Sequence, residues 1–297
     1  MSIKLASQQG ILSTQHPKHL TVVQNMGPAV ISTPSLVASA TYTIASAGLV
    51  GIYTFAATGS LVVASGGLAD ILVVGGGGGG GQGDASTVAG GAGGAGGYMF
   101  LENFFLPAGT YTVTIGGGGA KGNLATPGNP TYIGNLLMCP GGGQGGRNAF
   151  GSGGNGASGG GGGANAQPKG SALFLSSGNI RGNNGGAHNE GVSYAGGGGG
   201  GAGATGTNAA AGTGGVGGIG LPNNIVNGST NVYYCGGGGG AGSSTSAAGG
   251  LGGGGTGNGL TGADGTANTG GGGGGGFTSA ARTGNGGSGY LVIRVRI

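Results

Sequence analysis

The apolar stretch Ile71-Leu72-Val73-Val74 runs without interruption into seven glycines, residues 75–81. Four β-forming residues bounded by glycine have the length and composition of a buried strand. Glycine costs about 1 kcal/mol per helix position relative to alanine, so no helix begins at this junction. The junction recurs along the chain. Tyr111-Thr112-Val113-Thr114-Ile115 leads into 116–119, and Asn231-Val232-Tyr233-Tyr234 leads through Cys235 into 236–240. Other apolar strings, Tyr98-Met99-Phe100-Leu101, Tyr132-Ile133 and Ala172-Leu173-Phe174-Leu175, also lie between tracts, and further tracts stand at 159–163, 196–201 and 271–276. In the final string, residues 290–297, Leu291, Ile293, Val295 and Ile297 fall on one face and Arg294 and Arg296 on the other, a half-buried strand. Tyr111, Val113 and Ile115 repeat that pattern with threonines opposite.

Composition narrows what the tracts can be. Glycine supplies 91 of 297 residues and charged residues only 5%, while hydrophobic residues make up 36%. A chain this apolar is not short of core material in the way disordered chains are. Nine prolines and no strict third-position glycine exclude collagen. The reading adopted is mostly non-helical: a β-rich N-terminal module, then a glycine-rich domain of stacked polyglycine II helices with short β-strands. An ordinary β-solenoid or sandwich with glycine loops remains the open alternative. The expected divisions are an extended attachment arm over 1–40, a small β module over 41–66, and the glycine-rich domain over 67–297, ending in strand 290–297. Segments such as 83–87, 122–123, 156–158, 205–208 and 262–265 read as turns.

No chemistry stands out. Neither Lys121 nor Lys169 sits in a phosphate-binding Gly-Lys-Ser/Thr motif, and a run of seven glycines matches a dinucleotide fingerprint trivially. Asp70, Asp84, Glu102, Glu190 and Asp264 are isolated acids, and the net charge of +4 is spread thinly. The expectation is therefore no enzyme, no metal site, no cofactor, no nucleic-acid binding and no membrane insertion. Cys139 and Cys235 sit in rhyming contexts before glycine tracts and read as two buried thiols, with a disulfide as the alternative.

Three stretches together resemble the glycine-rich domains of bacteriophage tail-fibre and other virion proteins. They are the 71–75 junction, Pro107-Ala108-Gly109-Thr110-Tyr111-Thr112-Val113-Thr114-Ile115-Gly116, and Gly286-Gly287-Ser288-Gly289-Tyr290-Leu291-Val292-Ile293. The resemblance covers roughly residues 67–297. It implies a virion location, a rigid scaffold whose loops contact a host-surface protein or glycan, and attachment to other virion proteins through the N-terminal region. It also implies either a homotrimer or a single adhesin on a trimeric stalk. The alternative is a purely structural capsid-decorating or tail component. On the recognition reading, the contact candidates are Arg147, Phe150, Arg181, Asn183, Asn184, His188, Glu190, Asn223, Asn224, Phe277 and Arg282, because loop residues can vary without disturbing the scaffold. Phe150 and Phe277 read equally as packing residues, and Phe100, Phe104 and Phe105 read as core.

Overall fold

Alternation and β-branching turn the apolar strings into strands, and the strands pair across long stretches of sequence. The computed structural model describes residues 28–31, 40–45, 50–83, 88–147, 151–164, 168–173, 179–189, 194–258, 262–277 and 283–296. Among them are thirteen strands. The first seven are β1 (Val30–Ile31), β2 (Ala40–Ala45), β3 (Val50–Phe55), β4 (Gly59–Ser65), β5 (Gly67–Val74), β6 (Tyr98–Leu106) and β7 (Gly109–Thr114). The rest are β8 (Thr131–Ile133), β9 (Leu137–Cys139), β10 (Ile180–Arg181), β11 (Leu221–Asn223), β12 (Val232–Tyr234) and β13 (Tyr290–Arg296). One sheet has the order β10-β6-β5-β13-β3-β2, a second β1-β4-β7-β8-β9, and β11 pairs with β12; all these pairings are antiparallel.

The six-stranded sheet is covered on both faces. Toward the five-stranded sheet it buries Phe55, Ile71, Val73, Leu291 and Ile293 against Leu61, Val113 and Ile133, all essentially without exposure. Each such side chain contributes about 1.5–3 kcal/mol. On its other face Ile52, Leu72, Val74 and Val292 pack with Ile225, Tyr234 and Cys235 from the β11–β12 region. β13 therefore buries more than the half-buried strand read from its alternation: Val292, on the arginine face, is also fully covered. Further along that face Arg294 makes a 2.9 Å ion pair with Asp70, whose Oδ1 accepts from the Asn103 N–H.

Expectations change here at several points. The regular structure is strand in three antiparallel sheets, and no described residue is helical, so stacked polyglycine II helices are not the fold. The reason lies in the apolar strings, which pair in register and hold the regular hydrogen-bonded ladders. The glycine tracts continue these strands as extended segments. The strands of 40–65 pair with strands of the glycine-rich part: β3 with β13, and β4 with β7. Phe105 is 43% exposed, because an irregularity at Asn103 (φ 51°) shifts the alternation of β6, so that Phe104 instead of Phe105 joins the inward face of Met99 and Leu101. Finally, 205–208 and 262–265 are extended tract rather than turns, with Thr207 N–H donating to Val216 O and Gly265 N–H to Asn285 O.

Candidate functional site

Tract 75–81 shows how the glycine-rich part is built. Gly75, Gly78 and Gly81 donate to Gly97, Gly94 and Gly91; Gly76 and Gly79 donate to Asn129 and Thr126; Gly77 and Gly80 donate to Gly287 and Gly284. In return, carbonyls of this tract accept from Gly119 and Gly122, from Gly142 and Gly145, and from Gly273 and Gly276. Every third residue thus faces the same neighbour, and six segments surround one. The backbone groups are satisfied laterally, as buried polar groups must be. A Cβ at Gly77 would overlap the carbonyl oxygen of Gly271, and one at Gly79 that of Ala120. Where the third position has room, alanine fits, as at Ala89, Ala92 and Ala95, all fully or nearly fully buried.

The tracts have two unlike ends. One merges with the strands. At the other lie Gly83, Val88, Arg147, Gly151, Ala164, Asn189, Asn258 and Phe277. Cross-bonds tie this end together: Ala164 N–H to Ala89 O, Gly83 N–H to Gly276 O, Ala241 N–H to Gly90 O and Gly196 N–H to Ala241 O.

The candidate residues divide between these ends. Arg147 and His188 are half-buried at the far end, where Phe277 is buried against Ala89 and Ala241 as a packing residue. Phe150, Glu190 and Arg282 lie outside the described residues. At the sheet end, Arg181 is exposed in β10 opposite Tyr98. Asn183 Nδ2 donates to the carbonyls of Gly201 (2.9 Å) and Ala202 (3.1 Å), and Asn184 Oδ1 accepts from Ala172 N–H. Buried Asn223 donates to the Tyr98 hydroxyl at 2.8 Å and accepts from Ile225 N–H. Asn224 is exposed, and its carbonyl accepts from Asn227 and Gly228. Three of the four amides therefore complete backbone or core hydrogen bonds with their side chains. Sequence reading missed that role, and also Asn208 and Asn285, whose side chains accept from Ala187 N–H and Lys121 N–H. An asparagine flanked by glycine tract is the signal that marks such a position.

The reactive groups are quenched by burial. Cys139 and Cys235 are free thiols on opposite faces of the six-stranded sheet, meeting at Gly97: Cys235 Sγ donates to its carbonyl at 3.3 Å, and Cys139 Sγ packs beside its Cα. Burial pushes Cys139 up to about 12; burial, reinforced by the Cys139 charge, pushes Cys235 well up. Tyr234, stacked on Tyr290 at 6.1 Å, rises to about 12, chiefly by burial. A thiolate is the nucleophile and metal ligand, so neither cysteine offers either at neutral pH. We expect both thiols to resist aromatic disulfide reagents in the folded protein and to react fully in denaturant; rapid labelling of the native chain would contradict this burial. The raised values also fix a sign. Unfolded thiols ionise from about pH 8.5 while the folded ones stay protonated, so this contribution is complete below that pH and declines as pH rises toward 12.

Among the described residues no three His, Cys, Asp or Glu side chains group to hold a metal, and no helix is long and apolar enough to cross a membrane. The molecule is a β-sheet protein whose strands feed a laterally bonded glycine bundle, with its polar side chains spent largely on structure. The chain belongs to the glycine-rich domain family, whose model matches residues 54–296. No curated protein matches the chain.

Proposed function

We propose that this chain is a non-catalytic component of a bacteriophage virion, a tail-fibre or tail-tip protein that contributes to host recognition. Its N-terminal region joins other virion proteins, and segments at the far end of the glycine bundle meet a host-surface protein or glycan. The observation that carries this reading is the separation of ends. A bundle almost without side chains holds a sheet-built base apart from a far end where Arg147 and His188 lie. Polar recognition groups gain specificity when a rigid scaffold presents them. Within the candidate set this favours Arg147 and His188, with Phe150 and Glu190 close to them in sequence, over the sheet-end amides.

Arg147→Ala combined with His188→Ala is expected to reduce particle adsorption to host cells by at least about tenfold, near 1.4 kcal/mol. Asn224→Ala at the sheet end should leave it unchanged. Normal adsorption by the far-end variant, with its melting temperature preserved, would leave the purely structural virion role in its place.

A further inference from the structure

We propose that one flank of the glycine bundle is a self-association surface on which a second copy of this chain docks. The tract Thr213-Gly-Gly-Val216-Gly-Gly-Ile219-Gly-Leu221-Pro222 places a larger residue at every third position. Val216 is 44% and Ile219 47% exposed, and Pro222 is exposed too, while the glycines between are buried. The row is widened on both sides. Gly217 N–H donates to Ala248 O and Gly220 N–H to Leu251 O, which sets Leu251, 62% exposed, beside Ile219. Tyr233, directly opposite Pro222 in the β11–β12 ladder, shares its face and is also exposed.

The bundle does not require these side chains. Other outward positions of the tracts carry small polar residues, Thr205, Thr207, Thr256 and Thr266, which are exposed as well. Val216, Ile219 and Leu251 thus place apolar surface in water where threonine would satisfy the same lattice, and an exposed apolar patch of this kind marks an interaction site.

Charge selects the occupant. From residue 191 to residue 263 the chain contains no Asp, Glu, Lys, Arg or His. Copies carrying a net charge of +4 repel one another elsewhere, but two of these flanks meet without like charges facing and without an ion to desolvate. A partner held by charge would find nothing to pair with here. A self-complementary contact about a two-fold axis satisfies both conditions, since each copy offers the other the same uncharged patch.

Sedimentation velocity of the full chain over a concentration series tests this. The parent should pass from monomer to dimer, and the dimer should persist or tighten in about 1 M NaCl, where charge-held contacts are screened. The combined variant Val216→Lys, Ile219→Lys, Leu251→Lys should move the midpoint at least about tenfold higher in concentration. Leu124→Lys, at a residue 81% exposed in a turn outside this flank, should associate like the parent. If the triple variant melts at a lower temperature, Leu251→Ser alone should still weaken the dimer with melting unchanged. A parent that stays monomeric, a dimer dissolved by salt, flank variants that associate like the parent, or a Leu124→Lys variant equally weakened would each overturn the proposal.

Discussion

Gly79→Ala is expected to destabilise the protein by more than about 3 kcal/mol, or to prevent folding, although it adds a single methyl group. That methyl would overlap the carbonyl oxygen of Ala120 and crowd Gly119, both backbone groups of a neighbouring segment. Overpacking a core against side chains costs about 1–3 kcal/mol because rotamers give way; here the obstacle is main chain with bonds of its own. The Gly79 N–H donates to Thr126 O, and its carbonyl accepts from Gly145. Moving aside would therefore break hydrogen bonds to two segments. Gly117→Ala is the matched control. Its added Cβ would meet only the Asn129 side chain at 3.6 Å, and its backbone is outside the left-handed region. That substitution should be neutral, or stabilising by about 0.4–1 kcal/mol through the unfolded chain. Denaturant midpoints at constant slope measure both. Similar effects from the two substitutions would show that the tracts are not closely bonded.

Phe55→Ala should cost about 3–5 kcal/mol, the usual range for a large buried aromatic. Phe55 is fully buried in β3, in register with Leu291 of β13 on one side and Ala40 of β2 on the other. The loss should therefore reach beyond its own strand. β13 is held between β3 and β5, and β5 leads directly into the central tract. Far-ultraviolet signal and the fluorescence of the Tyr234–Tyr290 stack should move to lower denaturant together, as one transition. If the tyrosine signal kept its parental midpoint while β signal was lost early, the sheet and the bundle would be separate cooperative units.

How far the sequence was legible follows from these residues. β7 and β13 could be read from alternation, and β5 from its apolar run, because burial in a sheet imposes a period of two. β11 could not. Pro222 argues against a strand within a larger sheet, yet in a two-stranded ladder its missing donor is tolerated on the open side. Segments 205–208 and 262–265 do not turn, although threonine, asparagine and aspartate ordinarily signal turns; in an outer tract Thr205 faces water while Thr207, Asn208 and Asp264 accept from N–H groups of neighbouring tracts. The tracts themselves were recognisable as laterally bonded material, but composition overstated the regular structure they supply and understated the strands. For the candidate site, sequence identified residues without their assignment to an end. Asn183, Asn184 and Asn223 look like recognition groups on paper because a side-chain amide carries both donor and acceptor. That same capacity lets it stand in for a peptide unit, which is how the fold uses all three.

The threefold repeat of partners along tract 75–81 gives the tracts a reading frame. Gly75, Gly78 and Gly81 address one neighbour, Gly76 and Gly79 a second, Gly77 and Gly80 a third. Losing one residue would hand each downstream position the partner meant for the next, and a residue with a side chain would turn inward where a buried glycine had been. Losing or gaining three restores every pairing and changes only the reach of the bundle. Length in this protein is therefore quantised: related chains can grow or shorten their tracts in steps of three, together across bonded neighbours, while the connections at the far end are free to change by any number.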